Sequence, residues 1–342
     1  MRLSYEELKT FCEELLIAFG VEPWCAASVA EMLLDAELTG VATHGVTRLA
    51  IYMQRMEKGL VSKGNDIEIV QEGPSSVVID AHNTLGAPAA RFAMERCVEK
   101  AADTGCCFAT VRNSNHFGTA AHYTKMAARQ GMIGFACTNL TGKIAPYGAA
   151  EAFMGTNPIS VAVPTEDDVM VLDMTPSVVA LGKLILAQKL GQQIPLGWAL
   201  DREGNPTTDP AAGRKGSLLP IGGPKGSGMA IMVEVLSGIL SGAGYASQLY
   251  DLYEFDAPQG VGHFIGAVDI GHFIDLQEFC RTVSNMIREI KGLKCAAGFD
   301  EILMPGERGA KCAKNKLAEG IEVPQIVVDE LRELGRPYGL TL

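Results

Sequence analysis

Near residue 64 the texture of the chain changes, and this limits the folds open to it more than any other feature. Before that point three stretches carry helix punctuation. Ser4 with Glu7 forms a capping-box pattern and Gly20 stops the first; Pro23 opens the second, which ends near Gly40; Thr43 can cap a third that runs to Lys58 and Gly59. Beyond it come short β-branched runs, "DIEIV" and "SSVVID", then a helical span at 87–103 and the apolar runs "CCFATV", "MIGFACTN", "ISVAVP" and "VMVLDM". The expectation is a helical lobe followed by an α/β or α+β lobe.

The second half is less regular. Residues 196–228, rich in Gly, Pro and Thr, show little periodicity and are expected to run over the surface. A buried helix at 226–241, a strand at 262–270, an amphipathic helix at 276–291 and a helix entering at Pro324 follow.

Several functional classes have little support. With 342 residues and 47% hydrophobic content the chain can bury a large core, and a net charge of −11 disfavours a nucleic-acid partner. The nine cysteines are odd in number and include no CxxC pair, so they read as reduced core thiols of a cytoplasmic protein. Acidic residues stand where a signal peptide would be apolar, and the longest apolar helical run, 228–240, contains Glu234 and is too short to span a bilayer. No membrane association is expected. GxGxxG, the P-loop pattern, GxSxG and HExxH are all missing, and the six histidines show no close ligand spacing, so neither a standard Rossmann site nor a metal site is expected.

Three local features could carry chemistry. His44, Arg48 and Tyr52 stand at i, i+4 and i+8, which would align them on one helix face. Such a stripe could clamp a carboxylate through Arg48, and a solvated face explains the spacing equally well. Lys225 lies in "GGPKGSG" just before a helix, where free backbone N–H groups and a positive charge suit a phosphate; a flexible basic turn is the alternative, and Pro224 with the apolar helix behind it favours binding. His116, in "RNSNHFG", sits where an apolar strand hands over to a helix, as either a satisfied turn residue or a group placed to move a proton.

Taken together, the segments "THGVTRL", "RNSNHFGTAAHY", "GTNPISVAVPT", "LDMTPSVVALGK", "PTTDP", "GGPKGSG", "GHFIGAVDI" and "MPGE" resemble, in their order, the malate/L-lactate dehydrogenase family of nicotinamide-dependent 2-hydroxyacid oxidoreductases. That family is distinct from the Rossmann-type lactate and malate dehydrogenases. The resemblance implies an α+β fold, with a helical lobe of residues 1–62 and 299–342 packed on a cofactor-binding lobe of 63–298 whose sheet is largely antiparallel, and a homodimer with its active sites near the subunit contact. It implies NAD, or NADP, as cofactor and a small 2-oxo or 2-hydroxy acid as substrate. His116 and His44 become the candidate acid/base residues, and Arg48 the carboxylate ligand, with Tyr52 and Thr43 beside it. Asp173, Met174, Thr175, Pro176, Lys225, Pro305, Gly306 and Glu307 would line the cofactor.

Three positions depart from the family pattern: Thr43 where Ser is common, Leu140 where a serine often follows "TN", and Pro176, which removes a backbone donor from "DMTPS". Reduction of a 2-oxo acid needs a hydride, a proton on the carbonyl oxygen and a fixed carboxylate, and an imidazole suits the proton step. His116 is favoured as the acid/base and His44 as a substrate ligand. Reduction of a cyclic imine, or a catalytically silent binding role, are the alternative functions.

Overall fold

The structure, a computed structural model, describes residues 1–342. Its chain order begins with β1 (Arg2–Leu3), α1 (Tyr5–Ala18), α2 (Pro23–Leu38) and α3 (Leu49–Glu57). Ser4 and Glu7 form the expected reciprocal cap of α1, and its Leu8, Phe11, Cys12, Leu15 and Leu16 form one buried stripe. Next come β2 (Glu68–Glu72), β3 (Ser76–Asp80), α4 (Gly86–Thr104), β4 (Cys106–Ser114), α5 (Ala120–Ala128), β5 (Met132–Thr138), β6 (Ile159–Pro164) and β7 (Val169–Met174).

The third expected helix is shorter than its spacing suggests. Thr43 caps nothing: Ala42–His44 and Val46–Arg48 are separate 3-10 turns, joined through an extended Gly45, and α3 starts only at Leu49. The cause lies on α2, where Glu37 accepts the Val46 N–H at 3.0 Å. A Cβ on residue 45 would stand 2.0 Å from that carboxylate. His44, Arg48 and Tyr52 therefore do not share one continuous helical face.

The irregular segment also has more structure than expected. After α6 (Leu181–Lys189) it forms β8 (Ala199–Leu200), β9 (Pro206–Thr207), α7 (Pro210–Lys215) and β10 (Ser217–Leu218), and the three strands make a small sheet in the order β10-β8-β9. Ile144, Met154, Leu184, Ile194, Ala199, Leu218 and Ala230 form a separate small core beside it. The helix α8 (Pro224–Val233) continues into a π-helical turn, Glu234–Ile239. Expected to be buried, this run leaves Ile231, Met232, Val235, Ile239 and Leu240 exposed, because only its other side meets the sheet.

The chain closes with β11 (Val261–Asp269), α9 (Leu276–Lys291), α10 (Glu307–Glu319), β12 (Ile321–Glu322) and α11 (Gln325–Gly335). The main sheet has seven strands in the order β2-β3-β4-β11-β5-β6-β7. Only β3 and β4 run parallel, linked by α4; all other neighbours are antiparallel. The sheet is thus largely antiparallel, as the resemblance implied. One interior of 50 buried residues joins the opening helices to α4 and the central strands, and β1 pairs with β12 so that the C-terminal helices return to the N-terminal ones. No helix is long and apolar enough to cross a membrane.

Candidate active site

Strand β4 ends at Ser114, and the chain turns through Asn115 and His116 before α5 begins. Three elements fix this turn. Asn115 Nδ2 donates to the carbonyls of Asn83 and Thr84 at 3.2 and 2.8 Å, and the His116 N–H donates to Gln259 Oε1 at 2.9 Å. Gly86, at the start of α4, lies so close that a Cβ there would stand 2.1 Å from the Asn115 carbonyl oxygen and 2.5 Å from that of His116. Only a residue without a side chain fits.

Around His116 the structure gathers the other candidates. Its Nδ1 lies 2.7 Å from the Tyr52 hydroxyl, and its ring stacks on that of His44 with centroids 5.4 Å apart. His44 Nδ1 is 3.1 Å from Thr43 Oγ1, so in both rings Nε2 is the nitrogen left for a ligand. Arg48 donates from Nε to the Thr43 carbonyl at 2.6 Å and from Nη1 to the Tyr253 hydroxyl at 2.5 Å. The five residues converge without a shared helix face, because the break at Gly45 is offset by the tertiary position of the His116 turn.

The electrostatics favour neutral imidazoles. Removal from water, helped by the Arg48 charge, pushes His44 down to about 4. His116 is held well below the usual range by burial, then by Arg48 and by the other histidines. Burial raises Tyr52, which stays a phenol. Both rings are half-buried by area, so each keeps part of its edge open to solvent. Two hollows lie elsewhere: one of about 450 Å³ is lined by Met1, Glu14 and Leu342, and another of about 270 Å³ by Asp168, Arg288 and Pro305.

A third histidine is buried behind the site. His263 on β11 has Nδ1 2.8 Å from Thr138 Oγ1 and Nε2 2.7 Å from Ser114 Oγ, and it stacks on Phe117. Burial pushes it down to about 3. Once unfolded it titrates near its ordinary 6.5, so the stability present above that pH is lost as pH falls toward the folded value. The expected loss is about 1.4 kcal/mol per pH unit over that window. Thermal melts between pH 7 and pH 4 check this against His263→Gln, whose slope should be flatter; an equal slope assigns the acid sensitivity to other groups.

The residues expected at the cofactor lie along the edge strand β7 and its exit. Asp173, on an exposed edge strand, accepts the Ala121 N–H from the first turn of α5 at Oδ2, 3.0 Å away. Thr175 Oγ1 meets Ser177 Oγ at 2.8 Å, and the Pro176 carbonyl accepts the Ile221 N–H at 2.7 Å, which brings the exit of β7 against the turn that carries Lys225. Gly222 and Gly223 have φ of +60° and +61°, so this turn needs glycines, and Lys225 is exposed at the head of α8. Pro305 accepts the Val171 N–H at 3.4 Å, and a Cβ on Gly306 would stand 2.5 Å from Val171 Cγ1. The Glu307 carboxylate meets Lys291 at 2.5 Å and Lys311 at 3.1 Å and accepts the Met304 N–H at 3.0 Å. Those partners hold it down to about 2.

A family model described as malate/L-lactate dehydrogenase matches residues 3–332. The chain belongs to the malate/L-lactate dehydrogenase family. A malate dehydrogenase of Pyrococcus horikoshii is 39% identical to it over 99% of this chain and 96% of that one. A ureidoglycolate dehydrogenase (NAD(+)) of Escherichia coli O157:H7 is 33% identical, with 94% and 93% covered. A (2R)-3-sulfolactate dehydrogenase (NADP(+)) of Chromohalobacter salexigens is 36% identical, with 96% and 97% covered. The solved sulfolactate dehydrogenase of Methanocaldococcus jannaschii superposes with a TM-score of 0.95 at 35% identity, over 100% of this chain and 98% of that one.

Reading the sequence for this family's site missed Gln259, Tyr253 and Arg55. The first two lie in a loop without periodicity, where turn residues such as Pro258 and Gly260 mark a bend but not a site. Arg55 did carry one: in "IYMQRM" it interrupts an otherwise buried apolar face, and the structure leaves it 1% exposed.

Proposed function

We propose that this protein transfers a hydride between a nicotinamide dinucleotide, NAD in the first instance, and a small 2-oxo or 2-hydroxy acid. The observation that carries this is the convergence of one guanidinium, two stacked imidazoles and a buried phenol in a recess at the end of β4. Lys225 and the exit of β7 support a dinucleotide on the neighbouring surface. The exposed Lys225 at the head of α8 offers a positive charge for a phosphate, but the N–H groups of Gly223, Lys225, Gly226 and Ser227 are already donated to carbonyls, so the free backbone N–H groups expected from the sequence are not there; the exit of β7, Asp173 to Pro176, runs beside this turn. A bound nicotinamide supplies the hydride for the carbonyl carbon or takes it back from the alcohol.

The chain's own residues orient the acid and manage its proton. Arg48 keeps one N–H on Nη1 and both on Nη2 free, an end-on fork for the α-carboxylate. His44 Nε2 faces the same recess as a substrate ligand. His116 exchanges the proton of the substrate oxygen at Nε2, while Tyr52 fixes the ring through Nδ1. Substrate binding assists this exchange: the carboxylate cancels the Arg48 charge that helps hold both imidazoles neutral, so their proton affinity rises when the oxo acid arrives.

The exposed apolar row of Ile231, Met232, Val235, Ile239 and Leu240 supports a homodimer, and nine free thiols suit the cytoplasm. Purified protein is expected to oxidise NADH, or NADPH, with at least one of oxaloacetate, pyruvate, sulfopyruvate, oxalurate and diketogulonate, and to elute at twice the chain mass of 36.4 kDa. Folded protein that binds either cofactor and turns over none of these is a silent binding protein. Turnover of a cyclic imine 2-carboxylate alone moves the assignment to imine reduction.

A further inference from the structure

Residues 251–257, which no motif marks, form one wall of the recess. They are held by Arg55, which is 1% exposed and forms no ion pair. Its guanidinium donates to the backbone carbonyls of Asp251 at 3.4 Å, Leu252 at 3.2 Å, Glu254, and Ala257 at 3.0 Å. A planar fork with five donors can hold several carbonyls of one bend at once, as a lysine cannot. On the other side Asp251 accepts from Thr141 Oγ1 at 3.2 Å, pairs with Lys143 at 3.0 Å and accepts the Tyr253 N–H at 3.0 Å.

The segment held in this way delivers Tyr253 to Arg48. Its hydroxyl accepts from Nη1 at 2.5 Å, and the Arg48 carbon lies 5.8 Å from the ring centroid. A hydroxyl that accepts from a guanidinium still has its own proton to give, and an anion seated on Arg48 is the acceptor within reach.

We propose that Tyr253 is a substrate-binding residue that donates its hydroxyl to the carboxylate held by Arg48, and that Arg55 is the positioning residue that places it through the backbone of residues 251–257. This rests on the 2-oxo acid reading above and adds a carboxylate ligand from a second element. Arg55 sits one turn beyond Tyr52 on α3, so the helix that supports the acid/base ring also supports the carboxylate site.

The test is steady-state kinetics on the full chain with the oxo acid that the wild type turns over. Tyr253→Phe keeps the exposed ring and loses only the hydroxyl; it is expected to raise KM for the oxo acid about tenfold, with a smaller change in kcat and an unchanged KM for the cofactor. Arg55→Lys should raise the same KM, and the double variant should fall short of the product of the two effects, because both act on one contact. A Tyr253→Phe enzyme with wild-type KM, or a double variant equal to the product, overturns the proposal while the wild-type activity stands. A wild type inactive on every oxo acid overturns both readings.

Discussion

His116→Ala is expected to lower kcat by roughly 10²–10⁴-fold while cofactor affinity stays nearly unchanged. The ring has one nitrogen held by the Tyr52 hydroxyl and the other without a protein partner, an arrangement that His44 repeats with Thr43. Tyr52 cannot replace it, because burial raises its pKa far from the operating range. His44 is the rival, with its own Nε2 free and a pKa pushed down to about 4. Parallel pH–rate profiles of His116→Ala and His44→Ala decide between them. Loss of the titration in His116→Ala alone supports the assignment; loss in His44→Ala alone transfers the proton step to His44; equal loss in both shows that the stacked pair acts as a unit.

Arg48→Ala is expected to weaken substrate use by about 2–5 kcal/mol, with each 1.4 kcal/mol equal to a factor of ten in kcat/KM. The loss is large because the partner carboxylate would then sit in the recess without its counter-charge. A second signature accompanies it. Arg48 contributes to the depressed pKa of both imidazoles, so its removal should shift the acid limb of alcohol oxidation to higher pH. Cofactor affinity that collapses while the KM of the acid stays constant would instead place Arg48 at the dinucleotide.

The sequence was most legible where structure is local. The reciprocal cap of Ser4 and Glu7, the span of α4 and the amphipathic α9 follow from neighbours within a few residues, and all three formed as expected. The break at Gly45 did not show, because its cause is a carboxylate on another helix. The insertion of β11 between β4 and β5 was likewise hidden: strand order depends on pairing across more than 100 residues, to which periodicity is blind. The α10 helix, expected only as tail, escaped because Gly306 starts it without a side-chain cap. At the site, His44, Arg48, Tyr52 and His116 could be named from short motifs, but the meeting of the first three with His116 is a property of the fold.

The contact between Gly86 and the carbonyls of Asn115 and His116 divides the labour within the recess. The turn that carries the imidazole is set in part by main chain pressed against main chain at the start of α4, and Tyr52 fixes the ring. The wall opposite is made of side chains on a loop that Arg55 holds by its carbonyls alone. Apart from Asp251, which anchors the loop through Thr141 and Lys143, and Gln259, which holds the His116 N–H, side chains on that loop can be exchanged to admit a differently shaped acid while the proton-transferring ring keeps its alignment, so one chemistry can be retuned by changing a single face of its container.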